Sequence, residues 1–151
     1  MRPGGPWRPS LAEVYVLNGV NLGALGSRRP EVYGTATLAD IERAVRKSFP
    51  GVEIAFRQTD HEGEMVAWIR EAGEARGIII NPGAWSHYSY AIHDALEAAE
   101  RPAKVEVHLS NIHAREEWRR RSVISAAVDA VIAGMGPAGY RAAVAYVLGR
   151  L

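Results

Sequence analysis

Two residues that could carry acid–base chemistry stand two positions apart in an apolar run. Glu106 and His108 flank Val107, so on a β-strand their side chains point to the same face. A carboxylate next to an imidazole orients the ring and favours its charged form, which makes His108 a candidate general acid. A histidine whose hydrogen bonds are simply satisfied within a sheet fits the same spacing equally well.

A loop bounded by Gly26 and Gly34 holds a second candidate pair, Arg28 and Tyr33. A free phenol has a pKa of about 10 and is only about 0.1% ionised at neutral pH. An arginine in a closed, dry site stabilises the ionised form by charge attraction and so turns a tyrosine into a general base. A solvated loop arginine beside a packing tyrosine is the alternative for this pair.

Further polar side chains follow apolar runs, and their types suit a small polyhydroxylated acid. Asn18, Asn81 and His87 offer amides and an imidazole to hydroxyl groups. Arg115 and Arg119, four residues apart, offer guanidinium groups to a carboxylate. A solvated basic face explains the two arginines as well, whereas the net charge of +1 disfavours nucleic-acid binding.

The segment after His108 offers a further anion site. The backbone N–H groups of residues 110–112 could hold an anion where a helix begins. Simple capping of that helix by Ser110 or Asn111 is the alternative.

The residue types argue against a metal, a nucleotide or a Schiff base. The chain has no cysteine, which excludes disulfides, thiolate nucleophiles and cysteine-based zinc sites. His87, His108 and His113 could converge, but no HExxH motif supports a metal there. The segment after the first apolar run has no phosphate-binding glycine pattern, and neither lysine is placed for an iminium. We expect no metal and no cofactor.

The elements that must position these residues alternate between strands and helices. The apolar runs predict strands over residues 14–17, 52–56, 78–80, 104–109 and 127–133. Helical spacing predicts helices over 38–49, 64–76 and 86–99 and a last helix from Pro137, with Thr37 and Ser86 as N-caps. This alternation predicts an α/β fold, a flavodoxin-like three-layer sandwich with a five-stranded parallel sheet. Ligands then bind at the carboxyl ends of the strands.

Length and composition are those of an ordinary globular domain. The 151 residues are 48% hydrophobic and 23% charged. Residues 1–10 hold three prolines and two glycines and predict a flexible arm rather than a signal peptide. Residues 11–151 then form one domain that carries the candidate site. With no cysteine and no apolar run long enough for a membrane span, we expect a cytoplasmic protein without membrane or nucleic-acid partners.

Four blocks of the sequence carry a family resemblance. They are NGVNLG leading to PEVYG over residues 18–34, Gln58 with HEGE over 61–64, INPGA with Ser86-His87 over 80–87, and EVHLSNIHAREE over 106–117. The chain resembles type II 3-dehydroquinate dehydratase from about Glu13 to Tyr146. The resemblance implies dehydration of 3-dehydroquinate to 3-dehydroshikimate through an enolate, without metal or organic cofactor. It places the reaction in the shikimate pathway of aromatic amino acid biosynthesis, or in quinate breakdown.

The resemblance also implies catalytic roles. The family's base, a tyrosine on a mobile lid, falls on Tyr33, and its activating arginine falls on Arg28. The acid that protonates the leaving hydroxyl falls on His108, with Glu106 in support. Asn18 matches the residue that steadies the enolate through a water.

The resemblance further implies a set of binding positions. They are Asn81, His87 and Arg119 for the ring hydroxyls, Leu109 and Ser110 for the carboxylate, and Arg115 close to the lid. Asp94 matches an aspartate that enters the site from a neighbouring subunit. The assembly that the resemblance implies is a homo-dodecamer built as four trimers.

Three positions depart from the family pattern and leave an alternative open. Val20 and Ala126 stand where the family has proline, and Arg29 stands where it has glutamate. A reversed charge beside the lid is the basis of the alternative, a non-catalytic paralogue that binds a quinate-like acid. A flavodoxin-like carrier or receiver module is a weaker alternative, because no aspartate pair follows the first strand.

Overall fold

The computed structural model describes residues 12–151, and a five-stranded sheet lies at its centre. The strands are β1 (Val14–Asn18), β2 (Ile54–Gln58), β3 (Gly77–Asn81), β4 (Ala103–His108) and β5 (Ala130–Ala133). They are all parallel, in the order β2-β1-β3-β4-β5. This order confirms the predicted flavodoxin-like fold. The predicted arm over residues 1–10 lies outside the described residues, and the domain boundary stays a prediction.

Helices cover both faces of this sheet. They are α1 (Pro30–Tyr33), α2 (Leu38–Ser48), α3 (Glu62–Glu71), α4 (Tyr90–Ala98) and α5 (Ala138–Val147). Helices α2 and α5 pack on the face that carries Val14 and Val16, whereas α3 and α4 pack on the face that carries Tyr15 and Leu17. Because both faces are buried, β1 is apolar at successive positions rather than alternating.

Helix α2 shows how local sequence sets an element boundary. The Thr37 hydroxyl accepts a hydrogen bond from the Asp40 N–H, and the Asp40 carboxylate accepts one from the Thr37 N–H. This reciprocal pair satisfies two N–H groups that have no partner in the helix, so Thr37 is the N-cap as predicted. Ile41 and Val45, at helical spacing, are fully buried against the sheet.

Several predicted boundaries were wrong: β2 lies two residues later than residues 52–56, α3 covers 62–71 rather than 64–76, and two further errors concern segments near β4. Helix α4 begins at Tyr90 with Ser89 as its N-cap, whereas Ser86 lies in a 3₁₀ turn over Gly83–His87. Strand β5 begins at Ala130 rather than at residue 127, because Ser125–Ala127 forms another 3₁₀ turn. In both segments a serine hydroxyl, that of buried Ser86 or of half-buried Ser125, bonds to the Glu106 carboxylate on β4 instead of capping or joining the regular element.

The exits of β1 and β3 lie against each other at the carboxyl edge of the sheet. The Gly19 N–H donates to the Asn81 carbonyl oxygen at 2.7 Å. A Cβ atom on Gly19 would lie 2.5 Å from the Pro82 carbonyl oxygen, so only glycine permits this approach. The connection that leaves β1 contains α2 and covers one face of the sheet, whereas the connection that reaches β3 contains α3 and covers the other face. Strands β1 and β3 therefore form a topological switch point, which is where ligands bind in open α/β sheets.

None of the helices within residues 12–151 combines the length and the apolar character that a membrane crossing needs.

Candidate active site

A pocket of about 490 Å³, partly open to solvent, lies at this switch point. Most of the predicted site residues line it. They are Arg28, Tyr33, Asn81, His87, His108, Leu109, Ser110, Arg115 and Arg119. The exits of β1, β3 and β4 and the segment around α1 thus contribute to a single cavity.

Tyr33 lies at the end of α1, next to two guanidinium groups. The central guanidinium carbon of Arg28 is 5.4 Å from the centre of the Tyr33 ring, and that of Arg115 is 5.1 Å away. Cations at this distance are attracted by the electron-rich face of the ring. Short α1 sets this placement, because Pro30 occupies its first turn and Gly34 ends it with a positive φ of 78°.

Arg115 is held at the wall of the pocket and keeps one donor free. Its Nη1 donates to the Ser110 hydroxyl at 3.2 Å, and its Nε is 3.8 Å from the Glu116 carboxylate. Its Nη2 is buried and has no hydrogen-bond partner within residues 12–151. An orphaned charged donor in a pocket fits an anionic or carbonyl oxygen of a ligand.

Glu106 and His108 form a buried pair on one face of β4, as their spacing predicted. His108 Nε2 is 2.7 Å from Glu106 Oε1, and this distance assigns the Nε2 proton to the hydrogen bond. His108 Nδ1 is therefore the ring nitrogen left free to exchange a proton with a ligand. Glu106 itself is fully buried and does not line the pocket, so it acts on the site through the imidazole.

Three serine hydroxyls complete the surroundings of Glu106. Ser86, Ser122 and Ser125 donate to its carboxylate at 2.6, 2.9 and 2.5 Å. Burial is the largest single influence on the pKa of Glu106 and would raise it. The hydrogen bond and charge of His108, together with the serine hydroxyls, outweigh burial and hold that pKa below its ordinary value. Glu106 is therefore ionised at neutral pH.

His87 is arranged as a neutral hydrogen-bond acceptor. Its Nδ1 donates to the Arg121 carbonyl oxygen at 2.7 Å, which leaves Nε2 unprotonated on the other side of the ring. Burial lowers the pKa of His87, and the positive charges of His108 and Arg119 lower it further. At neutral pH this histidine can therefore accept a hydrogen bond from a ligand hydroxyl.

Trp118 connects His87 with Arg119. The Arg119 guanidinium carbon lies 4.0 Å from the centre of a Trp118 ring, and the His87 ring meets Trp118 edge-on at 5.2 Å. Arg119 also donates to the Glu116 carboxylate at 2.6 Å. Arg115 and Arg119, four residues apart, do not share one face of an α-helix, because Arg119 lies on a 3₁₀ turn over Glu117–Arg120 that begins after Arg115.

Comparisons with known proteins give the family of the chain. Residues 12–148 match the family model described as "Dehydroquinase class II". The chain belongs to the class II dehydroquinase family. It is 50% identical over 141 residues to the 3-dehydroquinate dehydratase of Chelativorans sp. (strain BNC1), covering 91% of this chain and 97% of that protein. The corresponding protein of Salinispora tropica is 51% identical over 140 residues, covering 91% and 97%.

Two solved relatives have the same fold as this dehydroquinase. The type II dehydroquinase from Propionibacterium acnes superimposes with a TM-score of 0.86 at 44% sequence identity, covering 92% of this chain and 98% of that one. The type II dehydroquinase from Butyrivibrio crossotus gives 0.85 at 39% identity, covering 93% and 99%.

Besides Glu106, two residues expected at the site of the dehydroquinase do not line the pocket. Asn18 is fully buried; its Nδ2 donates to the Arg57 carbonyl oxygen and its Oδ1 accepts from the Tyr140 hydroxyl. Asn21, from the same NGVN motif, lines the pocket in its place, at a turn with a positive φ of 67°. Asp94 lies on α4 and lines a separate groove between α3 and α4.

The segment after His108 contains both a capping residue and a residue of the pocket. Asn111 caps a 3₁₀ turn over Ile112–Ala114, because its Oδ1 accepts from the His113 N–H, whereas Ser110 lines the pocket.

Within residues 12–151, three side chains lie close enough together to share a metal ion, and they are His93, Asp94 and Glu97. This cluster lies on α4 outside the pocket, and exposed acidic groups commonly cluster without an ion.

Sequence reasoning missed part of the dehydroquinase site. Ser122 and Ser125 lie in a polar segment without periodicity, and Ser86 carries the signal of a helix cap. Tyr140 stands on the apolar face of α5 and is typical of a core residue. For Asn21 a signal exists, because it shares a motif with Asn18 and stands in the Gly-rich loop after β1.

Proposed function

We propose that this class II dehydroquinase converts 3-dehydroquinate to 3-dehydroshikimate and water with Tyr33 as the general base and His108 as the general acid. One observation carries the assignment: both side chains line the same pocket, and each has a charged partner of the sign that its role needs. Two guanidinium groups accompany the phenol, and an ionised carboxylate accompanies the imidazole.

In the first step Tyr33, as phenolate, takes the proton from C2, which is acidic because it lies next to the C3 ketone. Arg28 and Arg115 stabilise the phenolate before the proton moves. The electron pair left on C2 passes to the ketone oxygen and gives an enolate. Preorganised dipoles around this oxygen stabilise it, and pocket-lining Asn21 is better placed for this than buried Asn18.

In the second step the enolate expels the C1 hydroxyl, and His108 protonates it so that it leaves as water. The proton comes from Nδ1, because Nε2 is engaged with Glu106. Glu106 balances the positive charge of the imidazolium before this transfer. Base and acid steps of this kind each contribute about 10² to 10⁴ in rate.

The remaining lining residues position the substrate. His87 accepts from a ring hydroxyl through Nε2, and Asn81 and Arg119 bind the hydroxyls beside it. Leu109 and Ser110 hold the carboxylate, partly through backbone N–H groups. Arg115 Nη2, which has no partner within residues 12–151, is free to donate a hydrogen bond to an oxygen of the substrate.

The placement of the lysines favours an enolate over an iminium. The chain has two lysines, Lys47 and Lys104, and neither lines the pocket. Lys104 Nζ is buried and donates to the carbonyl oxygens of Leu96 and Ala99 at 2.9 and 2.8 Å, where it caps the end of α4. An amine held in this way is not available as a nucleophile.

Asp94 supports the part of the proposal that concerns assembly. Its side chain lies in a groove between α3 and α4 rather than in the pocket of its own chain, so a role at a substrate site requires a second copy. A trimer that completes the site, and a homo-dodecamer of four trimers, would place it there. Sedimentation of the wild type tests this assembly. A monomer with full activity would contradict it. The cytoplasmic location stays a prediction from the sequence.

The experiment for the reaction is an ultraviolet assay with 3-dehydroquinate, with and without borohydride. We expect enzyme that was treated with borohydride in the presence of substrate, and then separated from both, to form the conjugated enone of 3-dehydroshikimate at the rate of untreated enzyme. Borohydride also reduces free ketones, but only reduction of an iminium would leave the substrate covalently attached to the enzyme. Inactivation by borohydride in the presence of substrate would contradict the enolate route. A folded protein that binds 3-dehydroquinate without turnover would favour the binding paralogue, which no contact in the pocket supports.

A further inference from the structure

A buried phenol lies directly behind the pocket and joins two of its asparagines. Tyr140 of α5 is fully buried, on the face of the sheet that α2 and α5 cover. Its hydroxyl donates to Asn18 Oδ1 at 2.7 Å and accepts from Asn81 Nδ2 at 2.8 Å. Asn18 and Asn81 are paired residues at the carboxyl ends of β1 and β3.

These bonds belong to a longer chain with one defined direction. Asn18 Nδ2 donates to the Arg57 carbonyl oxygen on β2 at 3.0 Å. At the other end, Asn81 Oδ1 accepts from the Gly83 N–H at 3.2 Å. The chain therefore runs from the Gly83 turn through Asn81, Tyr140 and Asn18 to β2, and every member donates to the next one.

The single hydroxyl proton of Tyr140 determines which way the Asn81 amide faces. Because that proton goes to Asn18 Oδ1, the hydroxyl can only accept from Asn81, and Asn81 must turn Nδ2 toward it. A flipped Asn81 would place its NH₂ group against the Gly83 N–H and leave two donors facing each other. Burial also raises the pKa of Tyr140, so the hydroxyl keeps its proton at any working pH.

The far end of the chain is part of the pocket. Asn81 and Gly83 both line it, as does Val20. Gly83 has a positive φ of 60°, and a Cβ there would lie 2.8 Å from the Val20 carbonyl oxygen. The Gly83 turn thus packs closely against Val20 in the loop after β1. The hydrogen bond from its N–H to the Asn81 amide holds the turn in this position.

We propose that Tyr140 is a positioning residue, which acts on substrate binding by fixing the orientation of the Asn81 side chain and of the Gly83 turn. This inference rests on the proposed role of Asn81 in binding a ring hydroxyl. An Asn81 amide offers two N–H groups and two lone pairs, of which Tyr140 and Gly83 use one each. The remaining donor and acceptor serve the substrate only in the orientation that Tyr140 sets.

The test is steady-state kinetics of Tyr140→Phe with 3-dehydroquinate. We expect KM to rise about tenfold, with kcat within about threefold of wild type, because the catalytic pair on β4 is not part of this hydrogen-bond chain. Tyr15→Phe is the matched control, since it also removes a buried phenol that bonds at 3.2 Å, here to Glu71 and outside the pocket. Tyr15→Phe should leave KM unchanged even if both variants lose thermal stability.

A double-mutant cycle with Asn81→Ala separates positioning from general loosening. In the Asn81→Ala background, Tyr140→Phe should change KM less than about twofold, because the side chain it orients is gone. If Tyr140→Phe does not fold, Asn18→Leu removes the acceptor of the same proton and should raise KM in the same way. The inference is overturned if Tyr140→Phe leaves KM unchanged, or if Tyr140→Phe raises KM as much in the Asn81→Ala background as in the wild type. Turnover by the wild type leaves the proposed function intact in either case. A wild type without turnover contradicts the proposed function itself.

Discussion

His108 Nε2 and Glu106 Oε1 lie 2.7 Å apart on one face of β4, and the carboxylate accepts further bonds from three serine hydroxyls. This arrangement places an ionised group where water does not reach it. A buried carboxylate without such partners would take up a proton or destabilise the fold. The pair therefore supplies the site with an imidazole of fixed orientation whose positive charge is balanced in advance.

Glu106→Gln should lower kcat by about 10- to 100-fold and change KM by less than about threefold. The amide keeps the shape of the side chain but removes the negative charge that stabilises the His108 imidazolium. Initial rates at saturating 3-dehydroquinate measure the effect. Glu71→Gln is the control, because Glu71 also accepts from a buried side chain but lies outside the pocket. An equal loss in both variants would contradict the role of Glu106.

Ser125→Ala should make the stability of the enzyme less dependent on pH in the acidic range. The folded-state pKa of Glu106 lies below its ordinary value, so its stabilisation is present above about pH 4.5 and is lost as the pH falls through that lower value. The variant should lose about 1.5–3 kcal/mol of unfolding free energy at pH 7. The difference from wild type should shrink on acidification.

Urea unfolding at pH 7 and at the lowest pH that permits reversible folding measures this change. Ser48→Ala is the control, because its hydroxyl bonds to the Ala44 carbonyl oxygen on the exposed face of α2. A difference that stays constant with pH in Ser125→Ala would show that its hydroxyl does not stabilise the charge of Glu106.

KM for 3-dehydroquinate should rise as the pH falls below about 6.5, with His87 as a main contributor. Its pKa lies below that ordinary value, and protonation converts Nε2 from an acceptor into a donor. His87→Asn should raise KM at pH 7.5 and flatten the change between pH 7.5 and 5.5. His93→Asn should keep the wild-type profile, since His93 makes the same ring-to-carbonyl bond away from the pocket. An unaltered slope in His87→Asn would contradict the assignment.

Adjacent arginines on the lid should differ sharply in their effects. Arg28 lines the pocket beside Tyr33, whereas Arg29 pairs with Glu31 at 3.2 Å and lies outside the pocket. Arg28→Ala should lower kcat/KM by at least about 100-fold. Arg29→Ala should change it less than about threefold, because exposed ion pairs contribute little. A large loss in Arg29→Ala would show that this departure from the family pattern takes part in catalysis.

Local sequence signals were sufficient for the fold and for the edge of the sheet at which the pocket lies, whereas most of the individual site roles came from the family resemblance. Strand–helix alternation predicted the parallel sheet, and the strand exits predicted the edge at which the pocket lies. The two-residue spacing of Glu106 and His108 predicted a shared face because a strand alternates with period two. The Thr37 cap followed from a local hydrogen-bond pattern that needs no tertiary contact.

Contacts between distant segments could not be predicted in the same way. The serines around Glu106 lie up to 20 residues away from it in sequence, and Tyr140 is 122 residues from Asn18. No periodicity relates such pairs, since tertiary packing alone brings them together. Ser86 has the sequence signal of a helix cap, but its hydroxyl bonds to the buried Glu106 carboxylate instead. The role of Asn18 was predicted from its motif, but strand alternation turns its side chain away from the pocket and toward α5.

Turnover by Tyr33→Phe tests the central claim most directly. The variant keeps the ring between the same residues and removes only the oxygen that accepts the C2 proton. We predict that kcat falls by about 10³-fold or more, while 3-dehydroshikimate binds within about threefold of its wild-type affinity. Tyr88→Phe, at an exposed tyrosine outside the pocket, should remain fully active. A Tyr33→Phe enzyme with wild-type kcat would contradict the assignment of Tyr33 as the base.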